Sequence, residues 1–312
     1  MIRILFSAPR KDWDDYRDVL PAALAEVGVE AVIEHDIAPQ HPETVDYIVY
    51  APSSRLKDFR PYTGTKAVLN LWAGVEGIVE NQTLTQPLTR MVDYGLTEGM
   101  IEWCVGHTLR HHLDMDQDIC RTDAEWVPHV PPLARHRRVT VLGLGALGAA
   151  VAAALAQLRF DVAGWSRSPR NIRGVDCHSG DDGLTEALRR SEILILLLPL
   201  TDTTRDLMDD DRLKLLPKGA VIINPGRGPL VVDADLLSAL DARQVSHATL
   251  DVFREEPLPR DHPFWAHPRV TVTPHIASDT RADSAARVIA ENIRRGEAGE
   301  PFLHLVDRSA GY

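Results

Sequence analysis

Val139-Thr140-Val141-Leu142-Gly143-Leu144-Gly145-Ala146-Leu147-Gly148 runs from an apolar strand signal through three glycines into the Ala/Leu-rich segment Ala146–Leu158. A G-x-G-x-x-G pattern is informative when it ends a strand and opens a helix. The first glycine then permits a tight turn, the second lets a pyrophosphate approach the backbone, and the third allows close helix packing. The helix N-terminus adds unpaired N–H groups and the positive end of its dipole. The stretch therefore predicts the first βα unit of a dinucleotide-binding α/β domain.

Working outward, Val162–Trp165 reads as the next strand, and Ile193–Leu198 is a nearly continuous apolar run of the kind a parallel sheet buries on both faces. Ala220–Asn224, His247–Leu250 and Val270–Thr273 continue the strand pattern, with a helix from about Asp233 to Ala242. Upstream, Ile2–Phe6 precedes apolar residues at helical spacing (Val19, Leu20, Ala23, Leu24, Val27) that stop at Gly28. Tyr47–Tyr50 and Lys66–Asn70 repeat the strand signal, so the chain up to about Thr97 reads as a small open α/β unit. A helical segment runs from Glu98 toward His112. Trp126–Arg138, with Pro128, Pro131 and Pro132, reads as an arm or linker. A last helix, Ala282–Arg295, is expected to cross back to the first unit.

Composition narrows the function classes. The 312 residues carry 34 Lys plus Arg against 45 Asp plus Glu, a net charge of −11. That balance opposes a nucleic-acid or anionic-membrane partner, since both need a positive field. With 44% hydrophobic and 25% charged residues the composition is globular, and the length favours two domains. Three widely spaced cysteines, Cys104, Cys120 and Cys177, form no disulfide framework and fit a reducing cytoplasm. The apolar N-terminal run is too short for a signal peptide, and no stretch approaches the ~18 apolar residues of a membrane span.

A NAD-preferring site places an acid about 20 residues after the glycines, at the end of the second strand. Here Trp165-Ser166-Arg167-Ser168 stands there, and the nearest acid, Asp161, opens the strand instead. Arg167, Arg170 and Arg173 form a basic island suited to a 2′-phosphate, which favours NADP while leaving NAD possible. Cys104, His107 and His111 fall on one helix with Asp114 beyond. A cluster on a single helix is not a metal site without a second ligand-bearing element, and no metal is expected.

Three polar residues stand where strands of the second unit end: Arg227 in Asn224-Pro225-Gly226-Arg227-Gly228, Glu256 in Asp251-Val-Phe-Arg-Glu-Glu-Pro257, and His275 in Thr273-Pro274-His275. Ligands of open α/β sheets bind at those ends. With the glycine loop and Leu198-Pro-Leu-Thr-Asp-Thr-Thr204, this order resembles the D-isomer-specific 2-hydroxyacid dehydrogenases over essentially the whole chain. Trp165–Ser168, Ala73-Gly74-Val75 and the ending Val306–Tyr312 look like its glyoxylate/hydroxypyruvate reductase A branch.

The resemblance implies two doubly wound domains: a Rossmann-type cofactor domain, residues 99–277, inserted into a smaller flavodoxin-like substrate domain of residues 1–98 and 278–312. It implies that Arg227, Glu256 and His275 are catalytic, and that the backbone of Ala73, Gly74 and Val75 holds the substrate carboxylate, with Tyr50 where the branch often has tryptophan. Cofactor contacts are implied for Gly143, Gly145, Ala146, Leu147, Gly148, Trp165, Ser166, Arg167, Ser168, Leu198, Pro199, Thr204, Pro225 and Asp251, the last facing the nicotinamide carboxamide. NADPH-dependent reduction of glyoxylate or hydroxypyruvate by a cytoplasmic homodimer is the implied activity. Pro225-Gly226 and Ser278-Asp279 depart from the commoner residues of the family.

The residue types suit the chemistry. Reducing a 2-oxo acid places hydride on the carbonyl carbon while a proton reaches the oxygen, which needs an acid, a cation and a positioned nicotinamide. His275 is the proton donor by residue type, Glu256 would favour its charged form, and Arg227 can pair with carboxylate and carbonyl oxygens. A second class, dinucleotide-sensing corepressors, uses the same scaffold, but the acidic balance and the basic cofactor loop stand against it.

Overall fold

The computed structural model describes residues 1–35, 39–308, 310 and 311, so Ser309 and Tyr312 of the closing motif lie outside the described residues. The chain divides into two compact units, Met1–Leu96 with Asp279–Tyr312, and Thr97–Ser278.

The first unit holds β1 (Ile2–Ser7), β2 (Ala31–Glu34), β3 (Tyr47–Tyr50), β4 (Ala67–Asn70) and β5 (Leu88–Thr89). They form one parallel sheet in the order β2-β1-β3-β4-β5, the flavodoxin-like doubly wound order. β3 and β4 are buried at every residue, as central parallel strands covered on both faces must be. Helix Ala282–Ala298 packs on helix Val19–Glu26, because Ala286, Ile289, Ala290 and Ile293 recur at helical spacing and the alanines allow close approach. Gly299 stops it in the left-handed conformation at φ 69°.

The second unit holds β6 (Arg138–Leu142), β7 (Asp161–Ser166), β8 (Asp176–Ser179), β9 (Ile193–Leu196), β10 (Ala220–Asn224), β11 (Val245–Leu250) and β12 (Val270–Val272). Their order, β12-β11-β10-β9-β6-β7-β8, is the Rossmann arrangement with one further strand, and every pairing is parallel. The order reverses at β6, which lies between β7 and β9, so the loop after β6 opens at the switch point where such sheets bind ligands. Ile193, Leu194, Ile195 and Leu196 of β9 are at most 2% exposed. Truncating one of them to alanine should cost about 2–5 kcal/mol.

The strand expectations hold to within a residue or two, and the elements that lie beyond the expectations include β2, β5, β8 and helix Gly180–Arg190. Residues 121–133 form no helix or strand, and only a single helical turn, Ala134–His136, precedes β6. Among the described residues no helix is long and apolar enough to cross a membrane.

Candidate active site

The glycine loop after β6 is built as its spacing requires. Gly143 has φ 105°, and a Cβ there would lie 2.4 Å from the Leu197 carbonyl oxygen. At Gly148 a Cβ would lie 1.7 Å from the Gly143 carbonyl oxygen, so neither position admits a side chain. Gly145 differs, since an added Cβ meets nothing within 4 Å. The protein's own packing does not demand glycine at 145; a phosphate lying against the backbone would. The first intrahelical bond runs from Ala149 N–H to the Gly145 carbonyl at 2.9 Å, and the N–H groups of Ala146, Leu147 and Gly148 have no acceptor among the described residues. This cradle fits the pyrophosphate of a dinucleotide.

Trp165, the last residue but one of β7, lies inside the core, 9% exposed, with its indole N–H donated to the Gly180 carbonyl at 2.8 Å. Its carbonyl accepts Gly143 N–H at 2.8 Å, so Trp165 anchors the glycine loop with its backbone while its ring packs. In the next turn Ser166 Oγ donates to the Ser168 carbonyl at 2.8 Å, and Arg167, Ser168, Arg170 and Arg173 are exposed. No acidic side chain among the described residues pairs with Arg170 or Arg173. Asp161, at the far end of the strand, pairs with Arg190 at 2.6 Å. After β9, Leu198 is buried, and Thr204 Oγ1 donates to the Pro199 carbonyl at 2.7 Å and accepts Thr201 N–H at 2.8 Å, which closes that loop on itself.

The loops after β10, β11 and β12 carry the three polar residues. Asn224 accepts Gly226 N–H at 3.1 Å and donates to the Arg227 carbonyl at 3.0 Å, with Pro225 buried between them. Arg227 Nη1 donates to the Gly226 carbonyl at 2.7 Å. Gly228 is required by a close approach, because a Cβ there would lie 2.0 Å from the carbonyl carbon of Phe253. Glu256 accepts Phe253 N–H on Oε1 at 2.8 Å and meets His275 Nδ1 with Oε2 at 2.7 Å. The ring's other nitrogen, Nε2, has no partner among the described residues. Both side chains are partly solvated, 50% exposed for His275 and 35% for Glu256. At that exposure the pair contributes little to stability, so its consequence is orientation of the ring.

Asp251 sits beneath this pair, 0% exposed. Its Oδ1 accepts Ile276 N–H at 2.9 Å and the Thr273 hydroxyl, and Oδ2 accepts Ala277 N–H at 2.8 Å. Its carbonyl takes His275 N–H at 2.9 Å. A non-glycine residue at φ 54°, as His275 is, needs such support. Asp251 was expected to face the nicotinamide; the structure gives its carboxylate to the turn that bears His275.

In the first unit Asn70, 1% exposed at the end of β4, donates to the carbonyls of Trp72 at 2.8 Å and Gly74 at 3.0 Å. Met91 N–H donates to the Trp72 carbonyl at 3.0 Å, and Thr280 Oγ1 to the Leu71 carbonyl at 2.9 Å. With its carbonyls engaged, the loop leaves the N–H groups of Ala73, Gly74 and Val75 without an acceptor among the described residues. Three such donors suit a carboxylate. Tyr50, expected among the substrate contacts, is 1% exposed, with its hydroxyl on the Leu56 carbonyl at 3.3 Å and its ring edge-on to Phe59. Its side chain belongs to the core. Asn70 was not anticipated; a lone amide at the end of an apolar strand was the available signal.

Cys104, His107 and His111 make separate contacts. Cys104 is fully buried beside Met100, with 3.8 Å between the sulfurs; His107 packs on Trp103; His111 Nε2 bonds Thr249 Oγ1 at 2.8 Å. Burial pushes His111 down to about 3 and its neighbour His247 down to about 4.

Residues 104–277 match the family model for the NAD-binding domain of D-isomer specific 2-hydroxyacid dehydrogenases. Glyoxylate/hydroxypyruvate reductase A of Yersinia enterocolitica is 40% identical over 255 residues, covering 79% of this chain and 82% of that protein. The reductase A of Photorhabdus laumondii is 39% identical over 276 residues, covering 86% and 88%. A D-isomer specific 2-hydroxyacid dehydrogenase of Xanthobacter autotrophicus Py2, solved with NADPH and MES, superposes with TM-score 0.91 at 40% identity over 99% of each chain. The NADPH-dependent glyoxylate/hydroxypyruvate reductase of Sinorhizobium meliloti, solved with NADP and sulfate, superposes with TM-score 0.87 at 33% identity over 100% of each. The chain belongs to the D-isomer specific 2-hydroxyacid dehydrogenase family, in its glyoxylate/hydroxypyruvate reductase A branch.

Proposed function

We propose that the protein reduces a small 2-oxo acid, glyoxylate or hydroxypyruvate foremost, to the 2-hydroxy acid at the expense of NADPH. The observation that carries this reading is the 2.7 Å contact of Glu256 with His275 Nδ1, which leaves the opposite ring nitrogen to a substrate oxygen. The pyrophosphate belongs on the Gly143–Gly148 cradle, and a 2′-phosphate on Arg167 and its basic neighbours. When bound, the reduced nicotinamide supplies hydride to the carbonyl carbon. His275 then gives its Nε2 proton to the carbonyl oxygen while Glu256 holds the ring and balances its charge. Arg227 meets the negative charge that grows on that oxygen, and the N–H groups of Ala73, Gly74 and Val75 receive the carboxylate. A cytoplasmic setting accords with the three unpaired cysteines.

We infer also that two copies associate. Trp126, Val130 and Leu133 of the arm, with Ile119 before it, are 96%, 93%, 64% and 73% exposed in one chain, an apolar display that a second copy would cover. The functional reading is tested by assaying a panel of 2-oxo acids with NADPH and with NADH. Glyoxylate or hydroxypyruvate with NADPH should give the highest kcat/KM. A maximum with phenylpyruvate or 2-oxoisocaproate would overturn the substrate assignment, and a maximum with NADH the cofactor assignment.

A further inference from the structure

The loop that bears Ala73, Gly74 and Val75 continues into a single helical turn. Val75 carbonyl accepts Ile78 N–H at 3.0 Å and Val79 N–H at 2.8 Å, and a second turn follows from Ile78 to Asn81 at 3.0 Å. Such a turn ends with carbonyls that no further turn can satisfy. They are met by one side chain from more than 220 residues away. Arg308 Nε and Nη2 donate to the Val79 carbonyl at 3.2 and 3.0 Å, Nη2 also to Asn81 at 2.8 Å, and Nη1 to the Leu84 carbonyl.

The segment that carries Arg308 is fastened to the same unit. Val306 N–H donates to the Leu88 carbonyl at 2.8 Å, and the Val306 side chain, 7% exposed, packs in one cluster with Val75, Ile78, Val79, Leu84 and Leu88. A planar guanidinium spreads a fixed fork of donors over three carbonyls, where an ammonium offers only a compact point charge, and its charge sits favourably at the carbonyl end of a turn.

We propose that Arg308 is a positioning residue for substrate: its guanidinium binds the carbonyls of Val79, Asn81 and Leu84 and so holds the turn that aims the Ala73–Val75 N–H groups at the oxo acid's carboxylate. The proposal rests on the reading that those N–H groups receive the carboxylate. Arg308 touches no reacting atom, and its effect passes through the Val75–Val79 turn. Losing it releases charge-assisted hydrogen bonds at the loop, and the loss appears in ground-state binding of the oxo acid more than in the chemical step.

The test compares wild type, Arg308→Ala and Arg308→Lys by steady-state kinetics, NADPH binding and amide hydrogen exchange. In Arg308→Ala the KM for glyoxylate should rise about tenfold, the scale of one lost charged hydrogen bond, with NADPH affinity unchanged. The kcat should stay within about twofold. Exchange should quicken at residues 73–84 and nowhere else, Arg308→Lys should fall between, and millimolar guanidinium ion should lower the raised KM. General loosening would instead alter NADPH affinity and exchange across the unit, and guanidinium would aggravate it. A KM equal to the wild type's overturns the proposal. If the wild type reduces no 2-oxo acid, the functional reading fails separately, and unchanged exchange at 73–84 would overturn the anchoring as well.

Discussion

Nδ1 of His275 lies 2.7 Å from Oε2 of Glu256, and the second oxygen of Glu256 accepts the backbone N–H of Phe253 at 2.8 Å. The carboxylate therefore has a fixed direction before it meets the ring. His275 is fixed independently, through its own N–H on the Asp251 carbonyl and through the Asp251 carboxylate on the two residues that follow it. Two loops that end adjacent strands, β11 and β12, thus hold the proposed proton donor and its orienting anion by separate sets of bonds.

Asp251→Asn tests the buried half of this arrangement. The amide keeps one oxygen for the Ile276 and Thr273 donors but sets an NH2 against the N–H of Ala277, so a buried donor loses its acceptor. The expected cost is about 1–3 kcal/mol of stability. A lower melting temperature should accompany a drop in kcat, because the displaced turn carries His275. Unchanged melting and unchanged kcat would show that the turn does not depend on this carboxylate.

Arg167→Ala tests the cofactor loop. Only NADPH carries a 2′-phosphate for a guanidinium to pair with, so its KM should rise about tenfold or more while that for NADH stays near the wild type. Equal losses for the two cofactors would mean that this loop does not read the phosphate.

Trp126→Asp tests the arm. The indole is 96% exposed in one chain, so the substitution removes nothing from that chain's own core. Sedimentation velocity should show a dimer in the wild type and a larger monomer fraction in the variant, with melting of the monomer little changed. A monomeric wild type would contradict the proposed association.

His111 and His247 predict acid sensitivity. Burial is the largest cause in each case, with Arg110 close by opposing protonation and Asp116 favouring it, and the two stay at about 3 and about 4 rather than 6.5. A base whose folded value is depressed takes up protons first in the unfolded chain. Stability should therefore be full above about pH 6.5 and fall as the pH drops toward 4. Melting curves across that window should show the decline, and His111→Gln with His247→Gln should flatten it. A slope unchanged in the double variant would assign the acid sensitivity to other groups.

What the sequence made legible follows from the range of the interactions. β9 declares itself because four consecutive apolar residues fit a strand covered on both faces, and the glycine loop because Gly143 and Gly148 answer steric demands within a few residues or one strand away. β8, Asp176-Cys-His-Ser179, escaped because it is an edge strand with no apolar run, and β2 because it lies at the edge of its own sheet. Tyr50 was expected at the site from the family resemblance, as the residue standing where the branch often has tryptophan, whereas the fold turns it into the core. The roles of Asp251, Asn70 and Arg308 were not legible, since the backbone groups they bind become neighbours only through folded loops, and for Arg308 through pairing across most of the chain.

The central claim is that His275 delivers the proton and that Glu256 sustains it in that role. The pH profile of kcat/KM for glyoxylate reduction, measured for wild type and Glu256→Gln, tests this most directly. The amide still accepts Phe253 N–H and can still touch the ring, but it withdraws the anion that favours the imidazolium. Activity in Glu256→Gln should therefore be lost at a lower pH than in the wild type. An alkaline limb that coincides with the wild type's would contradict the account.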